Sequence, residues 1–70
     1  MAANAEQLVD DRAIARLLTL SPEWVRKQRF LRRHRLDHIF TVDPVMIGSV
    51  PRYRLAEVLS WIEARAPRKA

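Results

Sequence analysis

Without a single cysteine, this chain can form neither a disulfide framework nor a thiolate zinc site, and its composition suits a reducing compartment. No apolar run approaches the roughly 20 residues that span a bilayer. The first residues also lack the basic start and apolar stretch of a secretory signal. The expectation is a cytoplasmic protein, neither exported nor embedded in a membrane. There is one glycine, and no glycine-rich phosphate loop, no serine, histidine and acid arrangement and no paired carboxylates appear. Neither catalysis nor a cofactor is therefore expected. Seventy residues make one domain with a small core.

What is abundant is positive charge, and it is unevenly placed. Thirteen Lys and Arg stand against eight Asp and Glu, a formal charge of +5. Residues 1–25 hold two Arg and four acids, a net −2; residues 26–35 hold five Arg and one Lys with no acid, a net +6; residues 36–70 add +1. A surface built for solubility intersperses its signs. A block this dense implies a polyanionic partner, and the preference for arginine suits phosphate and guanine.

Residues 1–8 lack periodicity and read as a flexible arm, followed by a domain over 9–66 and a basic tail over 67–70. Asp10 is a suitable N-cap for a helix reaching Leu18, with Val9 and Ile14 spaced as a hydrophobic staple and Ile14, Leu17 and Leu18 forming its apolar face. After the break at Thr19 and Leu20, Ser21 followed by Pro22 is a strong helix start, and Leu20 with Val25 repeats the staple spacing. The segment 32–43 has no glycine to stop this second helix. Leu36, Ile39 and Phe40 suggest a further short helix near 35–40, ending before Asp43 and Pro44. Val45 to Ile47 reads as a strand, Gly48 to Pro51 as a turn region and Arg52 to Leu55 as the returning strand, with Val45 and Ile47 expected beside Tyr53 in the core. A last helix over about 56–66 offers Val58, Leu59, Trp61 and Ile62 to the core, has no obvious cap and is stopped by Pro67. The expected fold is mainly α with a small β-hairpin, a winged helix-turn-helix.

In such an arrangement the second helix enters the major groove of DNA by its N-terminal part. Arg26, Lys27 and Arg29 are then the candidates for base edges or phosphates, with Arg26→Ala and Arg29→Ala expected to abolish site preference. Glu23 can accept from cytosine and Gln28 can pair with adenine. Ser21 begins this surface. Trp24 is suited either to stack on DNA or to close the core edge. Arg32, Arg33 and Arg35 should hold phosphates. Arg52 and Arg54 alternate onto one face of the hairpin and can reach a minor groove. His34, Asp37 and His38 have a spacing that could ligate zinc, but without a fourth ligand no metal is expected.

The succession of Leu8 to Leu18, Leu20-Ser21-Pro22-Glu23-Trp24-Val25, Val45-Met46-Ile47-Gly48, Arg52-Tyr53-Arg54 and Glu57 to Glu63 resembles the excisionase and AlpA-type winged-helix family, related to the DNA-binding head of MerR regulators. The resemblance spans most of residues 8–65 and lies in the order of short motifs. It implies a recombination directionality factor: a protein that binds tandem DNA sites, bends them and promotes excision of a mobile element by an integrase of the tyrosine recombinase class. It also implies major-groove contacts by Arg26, Lys27 and Arg29, minor-groove contacts by Arg52 and Arg54, and a place with the bacterial nucleoid. One departure is the roughly ten basic and apolar residues before the hairpin, where the family has a short glycine-proline turn. The last helix is too short for the long dimerising helix of MerR regulators, so neighbouring copies should touch along DNA. Alternative readings are a small prophage regulator and a protein-interaction adaptor, such as a packaging or antitoxin module.

Overall fold

The computed structural model describes residues 7–65. It consists of β1 (Leu8–Val9), α1 (Asp11–Leu18), α2 (Pro22–Arg33), β2 (Val45–Ile47), β3 (Val50–Arg54) and α3 (Leu55–Arg65). Three helices thus accompany one three-stranded antiparallel sheet in the order β1-β3-β2. The third strand is an addition to the expected hairpin: Leu8, assigned to the arm by its sequence, pairs with Arg54, and Val9 pairs with Tyr53. The proposed arm residues 1–6 and the tail lie outside the described residues.

Helix starts follow local chemistry. Asp10 Oδ1 accepts from Ala13 N at 2.9 Å, and Ser21 Oγ accepts from Trp24 N at 3.2 Å with Pro22 in the first turn. Helix ends are less conventional. Leu20 N donates to Ala15 O and Thr19 N to Arg16 O, while Leu36 N donates to Leu31 O and Arg35 N to Arg32 O. Both pairs are Schellman patterns, which need a left-handed residue, usually glycine. Thr19 (φ 58°) and Arg35 (φ 60°) fill those places. With Arg35 in place of glycine, the stop of α2 carries no local signal in the sequence. α3 has no side-chain cap because its first amide, Leu55 N, donates to Gln7 O at 2.8 Å across from β1.

The helix expected near 35–40 does not form. Gln28 Oε1 accepts from both Ile39 N (2.7 Å) and Phe40 N (3.1 Å), holding two amides that a helix would turn inward. The segment then runs extended: Phe40 and Val42 are buried while Ile39 and Thr41 are exposed, a period of two. Phe40 becomes the centre of the core, with ring centroids 4.9 Å from Trp61, 5.4 Å from Tyr53 and 6.2 Å from Trp24. Around it lie Ile14, Ala15, Val25, Val42, Tyr53 and Val58, flanked by Val9, Leu18, Trp24, Trp61 and Ile62. Leu17 and Leu59, expected inside, are exposed.

The hairpin is tighter than expected. Ile47 pairs with Val50, Met46 with Pro51 and Val45 with Arg52, leaving Gly48 and Ser49 as a two-residue turn. Gly48 has φ +64°, as a type II′ turn requires at its first central position. This register puts Val45 and Ile47 on the face of Arg52, opposite to Tyr53, so they do not join the core beside it. A side-chain period of two leaves no freedom once the pairing is set. Pro51 fits in the central strand because its register partner on the β1 side would fall at Asp11, where β1 has already given way to α1. The missing amide therefore breaks no ladder bond there.

Candidate nucleic-acid interface

The basic block 26–35 lies mostly on α2, and its six cations fall into different environments. Arg26 and Lys27 are exposed. Arg26 Nη2 donates to Glu23 Oε2 at 3.1 Å across one turn, a solvent-facing pair that a phosphate can replace at little cost. Arg29 is not available in this way. Its Nη1 and Nη2 donate to Asp11 Oδ1 (2.8 Å) and Oδ2 (3.1 Å), and Nη1 also donates to Tyr53 Oη at 3.3 Å. Arg29 and Asp11 side chains are only 17% and 15% exposed. The Asp11 carboxylate raises the Arg29 pKa above its ordinary value, against the opposing effect of burial. A guanidinium already forked onto a carboxylate has no fork left for guanine. The sequence expectation that Arg29 reads bases is corrected: it fastens α2 to α1 and β3. Burial pushes the Tyr53 hydroxyl up, with Arg29 acting against it.

Gln28 is likewise withdrawn from the surface. It is 7% exposed, and its carbonyl oxygen is committed to the loop amides described above, so it does not reach adenine. Ser21 serves as the cap of α2, and Trp24 closes the core edge against Phe40. Arg32 Nε donates to Asp43 Oδ1 at 2.7 Å and its Nη1 contacts His38 Nε2 at 3.1 Å. Asp43 raises the Arg32 pKa, and Arg32 lowers that of Asp43. His38 Nδ1 lies 2.8 Å from Leu36 O, and the tautomer with its proton on Nδ1 satisfies both contacts. Arg32 thus braces the loop. Arg33 and Arg35 have no side-chain partner among the described residues. His34 Nδ1 faces Phe30 O at 3.0 Å, and its ring sits 4.2 Å from that of Phe30.

Two hollows organise the free cations. The larger, about 840 Å³, lies between the end of α2, the following loop and β2, where Arg33, Arg35, Leu36 and Met46 share its walls with Arg29 and Arg32. A second hollow of about 350 Å³ is lined by Arg12, Arg26, Arg29 and Arg52 together with Asp10 and Asp11. Asp10 is held below its ordinary pKa first by the Ala13 amide and then by Arg52 and Arg16, with burial opposing. Arg12 was missed from the sequence because Asp10 and Asp11 cancel it in any charge count. Arg52 and Arg54, two residues apart on β3, share one strand face as expected, and Arg54 also lines a separate hollow with Glu57 and Trp61.

The exposed surface of α2 thus bears Arg26, Lys27 and Arg33, with Arg12 and Arg52 beside Arg26 around the smaller hollow. No protein family model, curated protein or solved structure matches this chain. Among the described residues no helix is long and apolar enough to cross a membrane.

Proposed function

We propose that this protein is a sequence-specific binder of double-stranded DNA. In this reading α1 and α2 form a helix-turn-helix, β2 and β3 form the wing, and the protein acts as an excisionase-like recombination directionality factor beside an integrase. The observation that carries the DNA reading is the shared hollow of Arg12, Arg26 and Arg52. Three elements distant in sequence deliver cations to one place next to the exposed face of α2. Lys27, Arg26 and Glu23 then face base edges, and Arg12, Arg33, Arg35 and Arg52 hold the phosphates on either side.

The recombination role is supported by the order of motifs over residues 8–65. α3 has 11 residues, about 16 Å at the usual rise, too short for a dimerising coiled coil. Copies placed in tandem on direct repeats therefore suit the chain better than a two-fold dimer on a palindrome.

Fluorescence anisotropy on duplex DNA at several salt concentrations tests the binding. Affinity should fall linearly on logarithmic axes as salt rises. Absence of binding to any duplex at low salt would sink the proposal and favour an acidic protein partner. A footprint on the DNA flanking the gene should show evenly spaced direct repeats, and an excision assay with an integrase of the tyrosine recombinase class separates a directionality factor from a regulator of transcription.

A further inference from the structure

We infer that the tip of the β2–β3 hairpin is an apolar wedge that enters the minor groove and unstacks a base step, kinking the duplex. The inference rests on the DNA-binding reading above. Residues 45–50 carry no charge in a chain that is 30% charged. Met46, Ile47 and Val50 are 47%, 53% and 42% exposed. Ile47 and Val50 are the closing pair of the hairpin and share one sheet face, while the next pair, Met46 and Pro51, takes the other. The tip is therefore apolar on both faces.

The charge behind the tip indicates what it meets. Arg52 stands on the face of Val50, two residues and roughly 7 Å back along the strand, in the hollow it shares with Arg12 and Arg26. Cations set back from an apolar point match a groove flanked by phosphates, with Arg52 at a phosphate row while Ile47 and Val50 reach the base pairs. A minor groove about 6 Å wide is too narrow for a two-stranded ribbon. Apolar side chains that part a base step open the groove and bend the duplex toward the major groove.

The test uses a duplex of about 40 base pairs with central TA steps, which unstack easily, labelled at its ends and carrying 2-aminopurine beside one step, together with the same duplex carrying a two-base bulge. The wild type should bring the ends closer, raise the 2-aminopurine signal and bind the bulged duplex at least about tenfold tighter, since the unstacking is already done. The Ile47→Asn, Val50→Asn double variant should bind the intact duplex with unchanged salt dependence yet lose all three effects. Ile47→Leu should keep them, and Ile47→Asn alone, checked by thermal melting, serves if the double variant does not fold. Bending that survives in the double variant, or a wild type that binds without bending, overturns the wedge alone. So does a free wild type that dimerises through the tip while the variant stays monomeric, since the tip's partner is then a second copy. A wild type that binds no duplex overturns the DNA reading with it.

Discussion

Gln28 and Arg29 are neighbours in the basic block, and both are held inside the domain by partners far away in sequence. Gln28→Met keeps the side-chain volume but leaves the buried Phe40 amide without an acceptor. It should destabilise the fold by about 1–3 kcal/mol, read from the urea midpoint. Arg29→Met strands the Asp11 carboxylate. It should cost about 2 kcal/mol, below the range for fully buried pairs because both groups retain some exposure. Its loss of DNA binding should vanish when fully folded protein alone is compared, in contrast to Arg26→Ala, which should weaken binding with little change in stability. Asp10 contributes, as Asp43 does, to the pH dependence of stability in the acid range. Its folded pKa lies below the ordinary 3.8, so its contribution is fully present above that value and is lost as pH falls through the folded one. Asp10→Asn keeps a capping oxygen without the titration. The stability difference between wild type and Asp10→Asn should therefore be constant near neutrality and shift against the wild type below pH 3.8, as thermal melts across that range will show.

Among the elements, the two helix ends separate strain from function. Thr19 and Arg35 both occupy left-handed positions that cost an L-residue about 1–2 kcal/mol, partly offset by glycine's greater freedom in the unfolded chain. Thr19→Gly and Arg35→Gly should each stabilise the protein by roughly 0.5–1 kcal/mol. Only Arg35→Gly should also weaken duplex binding, because Arg35 projects its charge into the larger hollow from that strained position. Equal DNA affinity in the two variants would remove Arg35 from the interface. In the hairpin, Gly48 has open space around it, so Gly48→Ala carries only the backbone penalty of its positive φ, about 1–2 kcal/mol. Amide exchange should then show fraying confined to β2 and the start of β3.

For the molecule as a whole, the block of six cations overstates what a partner meets, since Arg29 and Arg32 are matched by Asp11 and Asp43. Arg26, Lys27, Arg33 and Arg35 remain of the block, joined by Arg12 and Arg52 from outside it; with Arg26 and Lys27 at base edges, the other four can lie on phosphates. The slope of log affinity against log salt should then be about −3.6. A slope of about −1 would confine phosphate contact to α2, which carries Arg33 alone of the four. The starts of α1 and α2 were legible beforehand because Asp10 and Ser21-Pro22 act on amides three residues away. The hairpin was legible in outline from its single glycine. Its register was not, because pairing Ile47 with Val50 depends on the turn conformation, and one residue of slip exchanges the faces of Val45 and Ile47.

The sequence by itself determined where the positive charge is concentrated, which residues cap the first two helices and that a hairpin follows them, because each of these depends on neighbours within a few residues. Only the tertiary structure decided which arginines are free. Arg29 meets Asp11 across 18 residues and Arg12 joins Arg26 and Arg52 in one hollow. Long-range pairing of that kind is set by how the helices and sheet pack around Phe40, and no local pattern in the chain reports it.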